Sequence, residues 1–165
     1  MLDSMNLWIN IALDELIEAM KCVDIVVIND GEATMLAKTD NLVEAAKQVQ
    51  SMASIPTLII KKGEHGVLAL HGDDFIALPA YPSEAVVDPT GCGDTFAGTL
   101  AACLANDEGA VSTTELREAL VHATVSASFT LEDFGTKGIE SISIDAYQDR
   151  LLRYCTITGT SINSS

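Results

Sequence analysis

The most informative stretch of the sequence is DPTGCGDTFAG, residues 88–98, in which a glycine-rich turn leads straight into an apolar helical pattern. In such a turn the N–H groups of Gly91, Cys92 and Gly93 can converge on an anion, and the positive end of the helix dipole adds to the attraction. The alternative is a tight turn in which Asp94 serves only as the N-cap of the helix. The pattern alone does not separate these two interpretations.

Two other phosphate-binding loops can be tested against this turn. A Walker A loop requires Gly-Lys-Ser or Gly-Lys-Thr after four spacer residues, and no such run occurs in the chain. A dinucleotide-binding Rossmann loop requires a third glycine at the position that Phe96 occupies. The sequence therefore disfavours both a Walker A NTPase and an NAD-dependent oxidoreductase.

The patterns upstream of the turn predict an α/β fold. A helical pattern opens the chain, and a continuous apolar run follows it that is typical of a strand covered on both faces. A mostly parallel sheet follows from that run, and the turn composition of residues 71–74 adds an antiparallel hairpin at one edge. The predicted strands are residues 23–28, 57–61, 67–70 and 75–78.

Helices are expected between and after these strands. One helical face follows Asp40, and an apolar helix is expected over about residues 95–105. Ser112 and Glu115 have the spacing of a capping box, which predicts the start of a further helix that continues to Leu131. The helices are thus gathered towards the C-terminus of an α/β chain.

Composition limits the number of domains and the kinds of partner. With 165 residues and 48% apolar side chains, we expect one domain over residues 1–154 and a flexible tail over residues 155–165. The 9 basic and 24 acidic side chains give a formal charge of −15, which argues against nucleic acid and anionic membranes as partners. The sequence has no apolar run of membrane-spanning length and no closely spaced cysteine pairs, so we expect a cytoplasmic protein with reduced thiols.

The first seven residues of the glycine-rich segment, DPTGCGD, resemble the Asp-Thr-x-Gly-Ala-Gly-Asp motif of PfkB-family, ribokinase-type carbohydrate kinases. The resemblance implies that Gly91, Cys92 and Gly93 form the anion hole for the transferred phosphate, and that Asp94 removes the proton from the acceptor hydroxyl. Two residues depart from the motif, because Pro89 replaces a threonine and Cys92 replaces an alanine. Both replacements are small, and Cys92 would contribute its N–H group rather than its thiol.

A second stretch, NDGE at residues 29–32, resembles the Asn-x-x-Glu motif of the same family. The resemblance implies that Glu32 organises Mg²⁺-bound water and that Asn29 lies near the phosphates. The position fits this role, because ligands of α/β sheets bind where strands end, and Mg²⁺ is often held by few carboxylates and several waters. The alternative is that Asn29 and Glu32 only cap and start a helix.

The family resemblance extends to three weaker positions. Lys62, Gly63 and Gly66 resemble the Gly-x-x-Gly loop whose backbone lies along the nucleotide phosphates, although a hairpin corner would also explain both glycines. Gly135 lies where the family closes its adenine pocket and coordinates a monovalent cation. The resemblance also implies that Asp88 and Thr90 share this cation site, which would hold K⁺.

The resemblance implies a ribokinase-like three-layer α/β/α fold, of which this chain covers the C-terminal half only. The implied function is phosphoryl transfer from Mg·ATP to a hydroxyl of a sugar or a nucleoside. The sugar-contacting residues of the family lie upstream of this half, so the alternative is a non-catalytic nucleotide-binding or oligomerisation module. A sheet edge left open by missing strands would favour a homo-oligomer.

Overall fold

The structure is a computed structural model that describes residues 1–105 and 110–162. Within these residues one sheet has the strand order β1-β2-β3-β4-β5. Strands β1, β2 and β3 run parallel, and β4 runs antiparallel to β3, so the predicted parallel sheet with an antiparallel edge hairpin is confirmed. The strands are β1 (Leu2–Asp3), β2 (Ile25–Asn29), β3 (Thr57–Lys61), β4 (Val67–His71) and β5 (Asp74–Leu78).

Helices fill most of the remaining described chain. A short 3-10 helix at Gly63–His65 joins β3 to β4, and the capping box predicted at Ser112 and Glu115 is present. The α-helices are α1 (Asn6–Ile11), α2 (Leu13–Met20), α3 (Asp30–Ala37), α4 (Leu42–Ala53), α5 (Cys92–Leu104), α6 (Thr113–Leu131), α7 (Lys137–Glu140) and α8 (Ile144–Thr158).

The chain divides into two compact units, the first over Met1–Ala77 and the second from Leu78 onward. The expectation of one domain over residues 1–154 stays a prediction. In the first unit, alternate residues of three strands pack against the helices, as a period of two requires. This core contains Val26, Ile28, Leu58, Ile60, Leu68 and Leu70 from the strands, with Leu16, Met20, Leu36 and Val49 from the helices.

Helix α6 is the centre of the second unit. It packs against α5, α7 and α8, and Leu116, Leu120 and Val125 on it are buried. Helix α8 contributes Tyr154, whose side chain is fully buried. Burying a large apolar side chain is worth roughly 1.5–3 kcal/mol, so these residues account for the packing of α6 in this unit.

Several boundaries differ from those expected. The chain opens with the two-residue strand β1 rather than with a helix, and the first helical pattern is divided at Ala12, where φ is −151° and ψ is 48°. Helix α5 begins at Cys92 rather than at about Thr95, because Gly91 closes the turn in a left-handed conformation. Helix α8 continues to Thr158, inside the expected tail over residues 155–165, whose last three residues lie outside the described residues.

None of the helices in the described parts of the chain combines the length and apolar character that a membrane crossing requires. All four cysteines are free thiols.

Candidate functional site

The N-terminus of α3 is built by reciprocal hydrogen bonds between Asn29 and Glu32. The Asn29 side chain accepts a bond of 2.8 Å from the Glu32 N–H, and Oε2 of Glu32 accepts one of 2.9 Å from the Asn29 N–H. Asn29 and Glu32 therefore do form a capping box at the start of α3, as the capping interpretation expects. It leaves the second oxygen of the carboxylate without a role in the cap.

Glu32 differs from an ordinary capping residue because it is buried. Only 2% of its surface is exposed. Burial raises the pKa of Glu32, and the bond from the Asn29 N–H and the charge of Lys61 oppose that rise. A cation beside this carboxylate would favour its ionised form.

An ion pair lies at the same edge of the sheet. Lys61, the last residue of β3, donates from Nζ to both carboxylate oxygens of Asp3 at the end of β1, over 3.1 Å each. The charges of Lys61 and Asp3 also act on the pKa of Glu32, in opposite directions. Prediction from sequence missed Lys61; the only signal for it was its place at the end of a strand, next to Lys62.

The register of the sheet brings two of the predicted motifs together. Asn29 on β2 pairs with Lys61 on β3, so the helix start at Asn29 and the loop that begins at Lys62 lie at the same edge. In this loop the Lys62 N–H donates to the Gly66 carbonyl over 2.7 Å, and Gly63 and Gly66 have φ of 54° and 85°. The hairpin-corner interpretation of these glycines fits that geometry, and a phosphate-binding role stays a prediction.

The glycine-rich turn lies in the second unit. Gly91 is the N-cap of α5 with φ of 85°, and no side chain caps the helix there. The Cys92 N–H donates to the Pro89 carbonyl over 3.2 Å, so this one of the three expected anion donors is already occupied. Gly93 and Asp94 lie in the first helical turn, where N–H groups have no intrahelical acceptor.

Asp94 is the third residue of α5, and it is exposed. The alternative that Asp94 is the N-cap is wrong, because Gly91 holds that position. A carboxylate in the first turn is favoured by the helix dipole, and this one remains accessible to a ligand.

The neighbouring residues set the chemistry of the turn. The pKa of the Cys92 thiol is raised, chiefly by burial and also by the charge of Asp88, which disfavours the thiolate that a nucleophile requires. The Asp88 carboxylate accepts a bond of 2.9 Å from the Thr90 N–H, and hydrogen bonds from Thr90 lower the pKa of Asp88. Asp88 is therefore held in its ionised form.

The predicted adenine-pocket region follows α6. Gly135 is exposed with φ of 62°, and nothing lies within 4 Å of the position where its side chain would begin. Gly138, by contrast, packs so closely that an added Cβ would lie 2.2 Å from the Phe129 carbonyl oxygen. A cavity of about 260 Å³ in this region is lined by Phe129, Glu132, Asp133, Gly138, Ser141, Ile142, Ala146 and Arg150, but not by Gly135.

Among residues 1–105 and 110–162, no group of three or more His, Cys, Asp or Glu side chains is placed to hold a metal ion. The register of the sheet brings Asn29 and Glu32 to the same edge as the loop at Lys62 in the first unit. Gly91–Asp94, Asp88, Thr90 and Gly135 belong to the second unit.

Residues 2–142 match the sequence pattern of the family described as pfkB family carbohydrate kinase. The chain is 40% identical over 87 residues to the cytidine kinase of Thermococcus kodakarensis, a stretch that covers 52% of this chain and 31% of that protein.

Two solved structures share the fold. The aminoimidazole riboside kinase of Salmonella enterica, complexed with aminoimidazole riboside and an ATP analogue, matches with a TM-score of 0.74 and 24% identity, over 86% of this chain and 47% of that one. A protein of E. coli described as a ribokinase II, in complex with ATP and Mg²⁺, matches with a TM-score of 0.68 and 25% identity, over 89% and 45%.

The ribokinase-like fold is thereby confirmed, and the chain spans about half the length of these structures. The family match extends through β1, the sheet, the glycine-rich turn and α7. The chain belongs to the pfkB family of carbohydrate kinases.

Proposed function

We propose that this chain is the C-terminal, nucleotide-binding half of an ATP-dependent kinase that phosphorylates a hydroxyl of a sugar or a nucleoside. The observation that carries the proposal is the turn at Gly91–Asp94. There the first N–H groups of a 13-residue helix lie within three residues of an exposed carboxylate. This is the combination that phosphoryl transfer requires, namely donors for the transferred phosphate and a base for the acceptor hydroxyl.

The anion hole is the first part of the proposed mechanism. The N–H groups of Gly93 and Asp94 lie in the first turn of α5, where they have no intrahelical acceptor, and Gly91 allows the chain to approach a phosphate closely because it has no side chain. Cys92 keeps its place in the turn through its bond to Pro89. The donors bind the phosphate and orient it towards the acceptor.

Asp94 is the proposed catalytic base. It accepts the proton of the acceptor hydroxyl as that oxygen bonds to the γ-phosphorus, while the bond from the γ-phosphorus to the bridging oxygen breaks and ADP leaves. A carboxylate is sufficient for this step, because phosphoryl transfer depends more on a well-positioned acceptor than on a strong base.

Glu32 is the proposed Mg²⁺ residue, acting through bound water, and Asn29 is proposed to lie near the phosphates. The chemistry of the donors fits this ion, since Mg²⁺ prefers carboxylate oxygens and retains several waters. The charge of Asp3 adds to that of Glu32 at this edge, whereas the charge of Lys61, which pairs with Asp3, opposes it. When bound, Mg²⁺ neutralises charge on the phosphates.

The remaining predicted residues have supporting roles in the proposal. Lys62, Gly63 and Gly66 line the phosphates, and Gly135 lies at the adenine. Asp88 and Thr90 belong to a K⁺ site, for which the ionised Asp88 carboxylate is suited. The enzyme is proposed to be cytoplasmic and to self-associate.

The acceptor class rests on the relatives. The Thermococcus relative is a cytidine kinase and the Salmonella structure contains a riboside, whereas the E. coli protein is described as a ribokinase. Their shared chemical feature is ribose, so a ribose-containing sugar or nucleoside is the first acceptor to test.

Calorimetry with Mg·ATP tests the nucleotide site in the 165-residue chain. We expect binding that weakens about tenfold or more in Gly93→Asp, because the new carboxylate would face the phosphates. Gly98→Asp is the matched control, since it adds the same charge to α5 beyond its first turn. If the parent chain binds no nucleotide, the proposal fails in favour of a structural or oligomerisation module.

A further inference from the structure

The segment that carries the chain from β5 to the glycine-rich turn has no helix or strand of its own. It runs from Pro79 to Gly91, and its backbone therefore lacks the regular hydrogen bonds that hold most of the fold. Such a segment opens locally unless other contacts fix it. The contacts that fix it here come from the end of α6 and from α8.

The start of the segment is held by a buried tyrosine. The Tyr154 hydroxyl donates to the Pro79 carbonyl over 2.6 Å, and the rings of Tyr154 and Tyr81 lie 6.3 Å apart. Burial raises the pKa of Tyr154 to about 12, so its hydroxyl remains protonated and able to donate.

The middle of the segment is held by Glu132, the residue that caps the C-terminus of α6. Each of its carboxylate oxygens has a different partner. Oε1 accepts a bond of 2.8 Å from the Ser83 hydroxyl, and Oε2 accepts one of 2.7 Å from the Arg150 guanidinium. Glu132 therefore connects the segment to α8.

Arg150 is fixed in turn by its own surroundings. Its guanidinium carbon lies 3.6 Å from the centre of the Phe129 ring and 5.0 Å from that of Tyr81, and a second nitrogen donates to the Ser128 hydroxyl over 3.0 Å. Only 17% of the Arg150 side chain is exposed. An arginine that is stacked and shielded in this way orders its partner more firmly than a surface ion pair does.

The end of the segment is bonded to the residue before Glu132. The N–H groups of Val87 and Asp88 both donate to the Leu131 carbonyl, over 2.9 Å and 3.3 Å. Thr130 donates from its hydroxyl to that of Thr95 in the first turns of α5. The end of α6 thus contacts the chain on both sides of Gly91.

We infer that Glu132 and Arg150 are positioning residues for the Gly91–Asp94 turn, acting through the segment at residues 79–91. Neither residue belongs to the turn, and the inference that they affect catalysis rests on the proposed function of that turn. The pair fixes the position of Ser83, and this keeps the following residues of the segment in place for their hydrogen bonds to the Leu131 carbonyl. A displacement of about 1 Å in a phosphate site can cost roughly 10²-fold in rate, so this order is what the turn requires.

Amide hydrogen exchange of the full chain tests this inference. Glu132→Ala and Arg150→Ala should speed exchange in residues 84–95 about tenfold or more, with the Val87 and Asp88 amides as the direct reporters. Glu132→Gln should remain within about threefold of the parent, because its amide oxygen can still accept from Arg150 while its amide N–H donates to the Ser83 hydroxyl oxygen. Arg153→Ala is the matched control, since Arg153 is an exposed arginine on the same helix.

Urea unfolding of each variant separates positioning from general stability. The inference is overturned if exchange in residues 84–95 is unchanged in both alanine variants, if it rises equally throughout α5 and α6, or if Glu132→Gln behaves like Glu132→Ala. Calorimetry with Mg·ATP adds a functional measurement, in which Glu132→Ala weakens binding about fivefold or more and Glu132→Gln does not. Failure of the parent to bind would count against the proposed function, while the exchange data would still decide the role of the pair.

Discussion

The N–H of Asn29 donates to the Glu32 carboxylate over 2.9 Å, and the Glu32 N–H donates back to the Asn29 side chain over 2.8 Å. Ser112 and Glu115 form the same reciprocal box at α6, with distances of 2.8 Å and 3.2 Å. The two boxes differ in their surroundings, because Glu32 is buried and Glu115 is exposed. Burial reverses the effect of the charge on stability, and this reversal can be measured.

Glu32→Gln should leave the chain at least as stable as the parent at pH 7. Burial raises the Glu32 pKa above its ordinary value of 4.5, so the native state binds this proton more tightly than the unfolded state. The stability that protonated Glu32 gives the parent is therefore lost as the pH rises from 4.5 through the raised pKa of the native state. Glutamine does not titrate, so the variant does not lose stability in this way. Urea unfolding in EDTA between pH 4.5 and pH 8 should show that the free energy of unfolding of the variant rises relative to that of the parent as the pH increases. A variant that loses ground as pH rises would contradict the burial account.

Glu115→Gln should show the opposite dependence. Hydrogen bonds from Ser112 lower the Glu115 pKa, so this carboxylate stabilises the native state above its ordinary pKa of 4.5. That contribution is lost as pH falls through the lowered native pKa. The variant should therefore be less stable than the parent at pH 7, and the difference should shrink in acid. The same urea series measures it, and equal pH dependence in the two glutamine variants would sink both assignments.

The capping boxes also show how far prediction from sequence reaches. Ser112 and Glu115 were recognisable because spacing alone defines the motif, and strand β3 could be placed because Pro56 and Gly63 bracket an apolar run. The burial of Glu32 could not be predicted, since it depends on packing across separate strands. For the same reason Lys61 and Asp3, which are 58 positions apart, showed no pattern.

Gly138→Ala should destabilise the protein by roughly 1–3 kcal/mol, the usual cost of forcing atoms into a packed site. An added Cβ would lie 2.2 Å from the Phe129 carbonyl oxygen, which belongs to the backbone of α6 and cannot turn aside. Gly98→Ala is the matched control, because nothing lies within 4 Å of that Cβ position inside α5. The control should gain roughly 0.5–1 kcal/mol, the usual preference for alanine over glycine in a helix. Thermal unfolding of both variants measures these changes in stability. If Gly138→Ala were as stable as the parent, α6 and α7 would be less closely packed at this position than the structure indicates.

Helix α8 was not predicted from the sequence, and its contacts explain why. The segment after Tyr154 has little apolar surface to bury, and a flexible tail was therefore expected there. The helix persists because Tyr154 is buried and because Gly159 ends it in a left-handed conformation with φ of 66°. Arg150 lies on the same helix and meets Glu132 only after α6 and α8 have packed, so no local pattern could reveal the pair. The glycine-rich turn was predictable for the opposite reason, because its chemistry lies within seven consecutive residues.

Asp94→Asn separates nucleotide binding from chemistry, and it is best measured in a complete kinase that contains this chain. We expect Mg·ATP affinity close to that of the parent, because asparagine keeps the size of the side chain and leaves the N–H groups of the turn in place. Phosphoryl transfer to a ribose-containing acceptor should fall roughly 10²–10⁴-fold, the usual range for loss of a general base.

Asp145→Asn is the matched control, since Asp145 is also an acidic residue in the first turn of a helix. The control should retain parental kcat, because Asp145 has no part in the proposed site. Transfer at the parental rate by Asp94→Asn would mean that Asp94 only stabilises the start of α5, whereas loss of nucleotide affinity together with rate would mean that it acts on phosphate binding rather than on the proton.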